Sequence, residues 1–171
     1  MIYALIIALT GISFYLLSKK LYSEGEPEMS IDTIETPESD LPTAFKDWVF
    51  SWCYQYGDKY GVDPLLVFAV IRHESNFNPN AVNPNDPSYG LMQITKAVTK
   101  DFGKPDANLF DPETNIEIGT WFLAYLVNKH GLDIGVQMYN CWETGYLKNG
   151  VRVPNYLAKV KGYYQEYKNE Y

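Results

Sequence analysis

Residues 65–77 read LLVFAVIRHESNF, with Asp63-Pro64 immediately before them. An aspartate followed by proline starts a helix: the carboxylate caps free backbone amides, and the fixed φ of proline suits the first turn. The apolar run then predicts a helix through about Asn76. On that helix, the neighbours of Glu74 one and two turns back are Val70, Ile71 and Val67. All three are apolar, so Glu74 closes a core-facing stripe. Positions 70, 71, 77 and 78 hold no lysine or arginine, so the carboxylate has no local cation. Desolvation without a cation raises a carboxyl pKa. A general acid working near neutral pH needs that property. The alternative is a glutamate that reaches solvent from the helix end.

Working outward, residues 44–60 show apolar groups at helical spacing and stop before Gly61. Residues 77–90 (FNPNAVNPNDPSYG) are loop, and Tyr89–Ile94 could pair as a small strand. A short helix is expected over 95–102, ended by Gly103. Asp111-Pro112 opens another helix that runs to His130 and stops at Gly131, and one more covers about 133–142. An irregular stretch containing Gly145, Gly150 and Pro154 precedes a last helix over about 155–167. The class is all-α, or α with a small β element.

Together with the stripe glutamate, the blocks HESNFNPNAVNP, YGLMQI, LFDPETNIEIG, MYN and NYLAKV resemble the lytic transglycosylase domain, related to goose-type lysozymes. The resemblance covers about residues 60–167. It implies a mainly α, lysozyme-like α+β fold with a glycan-binding cleft. It also implies cleavage of the β-1,4 bond between N-acetylmuramic acid and N-acetylglucosamine in peptidoglycan. In that mechanism the muramoyl 6-hydroxyl attacks its own anomeric carbon and leaves a 1,6-anhydro end. One carboxylate therefore suffices where most glycosidases use two, and no metal or organic cofactor is needed. Glu74 is the implied acid and base. Gln93 is expected to face the cleft and hydrogen-bond sugar or to be a core amide bonded to backbone, and Met92 to line the cleft or fill the core. Tyr139 and Asn140 match residues that hold acetamido groups or glycan hydroxyls. Tyr156 matches the tyrosine that orients the acid, and Ser75 a helper that fixes the helix end.

The chain departs from the family pattern in two places. Asn83, a candidate substrate contact, stands where many members carry serine, and no acid precedes Tyr156 in Val151–Asn155. Asp86, twelve residues after Glu74, keeps a hydrolytic alternative open if it positions a water; otherwise it makes turn hydrogen bonds. His73 is not part of a zinc motif, because position 77 is phenylalanine. His130 reads as a residue favoured by the helix C-terminus. Tyr163, Tyr167 and Tyr171 form a packing stripe, while Trp121 and Trp142 could be core or glycan platform.

The net charge of −7 argues against nucleic-acid binding, which needs a basic face. Residues 22–42 carry seven acids, no lysine or arginine and three prolines, so the acidity belongs to a flexible linker. Met1–Leu17 has no charged side chain, and about 17 apolar residues is the short end of a membrane span. Residues 1–21 are therefore expected to be a retained transmembrane anchor contacting lipid, with 43–171 as the catalytic domain facing peptidoglycan. Lys19 and Lys20 on the far flank leave the orientation open. Cys53 and Cys141 form one bridge or stay as buried thiols. The expected setting is a virion membrane or bacterial inner membrane. There a phage virion or lysis system, or a secretion or conjugation apparatus, would open the wall locally. A non-catalytic wall-binding module is the rival of another class.

Overall fold

The computed structural model describes residues 43–171. The expected anchor over 1–21 and linker over 22–42 lie outside the described residues. Among the described residues no helix is long and apolar enough to cross a membrane. The elements run α1 (Thr43–Tyr60), α2 (Pro64–Ser75), β1 (Val82–Asn83), β2 (Ser88–Tyr89), β3 (Ile94–Thr95) and α3 (Lys96–Asp101). Then follow α4 (Pro112–His130), α5 (Leu132–Cys141), α6 (Glu143–Leu147) and α7 (Pro154–Glu170).

Helix α2 is the axis of the core. The Asp63 carboxylate accepts the Leu65 amide at 2.9 Å, and Pro64 occupies the first turn. The helix ends where Asn76 turns left-handed at φ 48°. Leu66, Val67, Phe68, Ala69, Val70 and Ile71 are all buried. Six consecutive residues pass right round a helix, so α2 is enclosed rather than striped. Each large side chain buried this way contributes about 1.5–3 kcal/mol of transfer free energy. Helix α1 packs against α2 and α4, and α7 packs against α2 and α5. Outside the core, α7 is fastened to α2 by the Tyr164 hydroxyl, which donates to Asp63 Oδ2 at 2.6 Å. The Arg72 guanidinium sits 4.2 Å from the Tyr163 ring and bonds Glu166 at 2.9 Å. The tyrosine stripe of α7 is packing, with Tyr167 buried and Tyr171 stacked on Phe50.

Helices α4 and α5 touch backbone to backbone. A Cβ on Gly135 would lie 2.6 Å from the Val127 Cα, so only glycine permits this approach. Asp111 caps α4 by accepting the Thr114 amide at 2.9 Å. The β element is three antiparallel two-residue strands in the order β1-β2-β3, pairing Val82 with Tyr89 and Ser88 with Thr95. A single strand over 89–94 does not form. The chain turns at Gly90 (φ 76°) and Gln93 (φ 49°) instead, which splits that segment between two strands.

Helix α6 falls in the stretch expected to be irregular. Its tie is tertiary: Glu143 accepts from His130 at 2.6 Å and pairs with Lys129 at 2.8 Å, both at the end of α4. His130 is therefore a bridge between elements as well as a helix-terminal residue. Cys53 and Cys141 are free thiols, and full burial pushes the Cys53 pKa well above its ordinary value.

Candidate active site

A cleft of about 540 Å³ opens between the C-terminal end of α2, the small sheet and α5. Glu74, in the last turn of α2, is half-buried in its wall. The Tyr156 hydroxyl, from the first turn of α7, donates to Glu74 Oε1 at 2.5 Å. Burial pushes the Glu74 pKa from the ordinary 4.5 to about 7, and the Tyr156 bond pulls it back only in part. Tyr156 is itself buried, and loss of water followed by the neighbouring Glu74 charge holds its phenol well above the usual range. The hydroxyl therefore stays a donor. The His73 ring meets Tyr156 edge-on at 4.8 Å. Burial, then the Lys159 charge, lowers the His73 pKa, so at neutral pH the imidazole adds no cation beside the acid.

The facing wall is the sheet and its turns. Gln93 lines the cleft, and its amide is also fully engaged. Its Nε2 donates to Gly90 O at 2.9 Å and Ala81 O at 3.2 Å, and its Oε1 accepts from Ser88 at 3.0 Å. Gln93 thus braces the strands through its amide while lining the cleft. Met92 does not line the cleft. It is fully buried beneath it, packed so closely on α4 that a Cβ on Gly119 would lie 2.4 Å from its sulfur. The Met92 amide donates to Asn115 Oδ1 at 2.8 Å, and its carbonyl accepts from Tyr139 at 2.8 Å. Asn115, wholly buried in α4, also donates to Tyr89 O and Leu109 O. This one amide ties the cleft floor to the core.

The remaining expected residues divide by exposure. Ser75 lines the cleft and returns its hydroxyl to Ile71 O at 3.2 Å, within its own helix. Asn83 and Asp86 are exposed at the β1–β2 turn and face the cleft, and Asn83 also accepts the Asn85 amide at 3.1 Å. Asn140 is exposed in the cleft, whereas the Tyr139 hydroxyl is already spent on Met92. Phe122 and Trp142 complete this wall, 5.7 Å apart ring to ring. Trp121 packs elsewhere, on Phe102 and Tyr125. Sequence reasoning passed over Phe122, Ser88 and Thr95, all of which line the cleft. Nothing local marks Phe122, but helical spacing from Asp111 could have put it on the same face as Ile118. Asn76, Gln93 and Trp142 hold positive φ in the cleft wall, and such strain costs about 1–3 kcal/mol at each residue that is not glycine. No three or more His, Cys, Asp or Glu side chains converge into a metal-binding group among the described residues.

The profile of the transglycosylase SLT domain matches residues 52–149. Membrane-bound lytic murein transglycosylase C of Serratia proteamaculans is 44% identical over 43% of this chain and 23% of that protein. Its counterpart in Salmonella typhi is 46% identical over the same shares. The chain thus spans about a quarter of the length of these relatives. A 70-kDa soluble lytic transglycosylase, solved in complex with bulgecin A, superposes with a TM-score of 0.51 at 26% identity, over 70% of this chain and 20% of that one. An inactive mutant of the Pseudomonas aeruginosa lytic transglycosylase Slt shares the fold with a TM-score of 0.50 at 21% identity, over 67% and 21%. Since the domain profile takes in more than half of the residues and runs through both Glu74 and Gln93, this chain belongs to the transglycosylase SLT domain family.

Proposed function

We propose that this chain is a peptidoglycan lytic transglycosylase with Glu74 as its acid and base. One observation carries the reading: a cleft carboxyl group whose pKa burial raises to about 7, held through one oxygen by a buried tyrosine. With Oε1 accepting from Tyr156, Oε2 is the oxygen left to carry the proton toward substrate. That proton passes to the oxygen linking N-acetylmuramic acid to N-acetylglucosamine, and the C–O bond breaks. The muramoyl 6-hydroxyl then attacks the anomeric carbon, and its proton goes to the Glu74 carboxylate. The acid is regenerated and the product carries a 1,6-anhydro ring. Asn140 and Asn83 are the groups we assign to the glycan, with Gln93, Ser75 and Tyr156 as positioning residues.

Asp86 supports a second reading because it faces the same cleft. If it held a water, the products would be reducing ends. Incubation of purified peptidoglycan with wild type and Glu74→Gln, followed by mass spectrometry, separates the cases. The proposal expects soluble fragments lighter by one water from wild type and none from the variant. Reducing ends would favour Asp86, and equal release by both proteins would remove Glu74 from the chemistry.

The two relatives are named as membrane-bound enzymes. With the uncharged stretch Met1–Leu17, this supports a membrane anchor over residues 1–21 and a tether over 22–42. The setting we propose is local opening of the wall by a tethered domain, in a phage lysis system or a bacterial secretion apparatus.

A further inference from the structure

Trp142 joins α5 to α6 at φ 62° and ψ 151°. Glycine enters this region freely and other residues scarcely at all, because a Cβ there crowds the backbone. The other end of α5 makes the comparison within the molecule: Gly131 holds φ 81° and ψ 162° there. A glycine would therefore satisfy the turn at 142, yet the position carries the largest side chain available. The surroundings hold it in place. The Tyr146 amide donates to the Trp142 carbonyl at 3.0 Å, and Glu143 is fastened to Lys129 and His130. The indole leans on Phe122 at 5.7 Å and 47°, and Phe122 leans on Tyr139 at 5.4 Å and 41°. Core filling accounts for only part of the residue, since Trp142 is half-buried and also lines the cleft.

We propose that Trp142 is a glycan-stacking residue that seats a sugar of the bound strand in the cleft. The row Trp142–Phe122–Tyr139 lines the same cleft as Glu74. A pyranose ring has one face made largely of C–H groups, which an indole covers without competing for its hydroxyls. Asn140, exposed in the same cleft two residues earlier, offers an amide to the polar edge of that sugar. The occupant is an N-acetylhexosamine unit of the glycan strand, so the proposal rests on the glycan reading above.

The test uses the full chain carrying Glu74→Gln, so that bound glycan is not cut. Binding of a soluble tetrasaccharide of alternating N-acetylglucosamine and N-acetylmuramic acid is measured by calorimetry. Trp142→Gly and Trp142→Leu are expected to weaken binding about tenfold or more, and Trp142→Phe to stay within about threefold of the parent. The leucine variant keeps apolar bulk, so it decides the matter even if the glycine variant folds poorly. Parent-like affinity in the leucine variant, or no binding by the parent, overturns the proposal. Wild-type clearing of peptidoglycan together with parent-like binding by the variants removes the stacking role and leaves the enzyme. Binding that depends on Trp142, without wild-type clearing, removes the enzyme and leaves the glycan site.

Discussion

At the scale of single residues, the proposed chemistry turns on what surrounds Glu74. Replacing it by glutamine keeps the shape and removes the proton, so clearing should fall at least about 10²–10⁴-fold in a zymogram. The same substitution should raise stability at high pH. In the unfolded chain the group ionises near 4.5 and in the fold near 7, so folding is favoured below 4.5 and that advantage is lost as pH rises toward 7. Glutamine escapes the penalty: denaturant melts at pH 8 should show Glu74→Gln more stable by up to about 3 kcal/mol, with no difference at pH 4. Tyr156 acts in the opposite direction. Its hydroxyl favours the charged form, so Tyr156→Phe should move the basic limb of the pH–rate profile upward. Loss of its hold on Oε1 should also lower kcat roughly tenfold to a hundredfold. An unshifted basic limb would show that the bond does not set the acid.

At the scale of elements, the floor of the cleft depends on a residue with no sequence motif. Asn115→Ala would take away the side-chain partner of the Met92 amide and of the Tyr89 and Leu109 carbonyls beneath the cleft. A loss of about 3 kcal/mol or more is expected in urea melts. Gly119→Ala should cost roughly 1–3 kcal/mol, because its new methyl would strike Met92. The start of α2 was legible because Asp63-Pro64 is a local signal, and so were the end of α1 at Gly61 and the span of α4. Helix α6 was not, since Glu143 is held by partners thirteen and fourteen residues away. Met92 stayed open between cleft and core for a similar reason. Its apolar side chain fits cleft or core equally well, and Gly119, which opens the space it fills, is remote in sequence.

At the scale of the whole molecule, Pro42–Tyr171 form a compact unit of their own. A chain starting at Thr43 should therefore fold and clear purified peptidoglycan as the full chain does, but leave the membrane fraction in a sedimentation assay. Persistence of that truncated form with membranes would reassign the anchor. The desolvated setting of the Glu74 carboxyl was legible because its neighbours Val67, Val70 and Ile71 precede it on one helix. Tyr156 is 82 residues away and was reached only through family resemblance. The proposed catalysis then converges on where one proton resides at neutral pH. Carbon-13 NMR titration of the glutamate carboxyl signals, with Glu74 identified by its absence in Glu74→Gln, reads this directly. A midpoint of about 7 is expected, and a midpoint at the ordinary 4.5 would contradict the account.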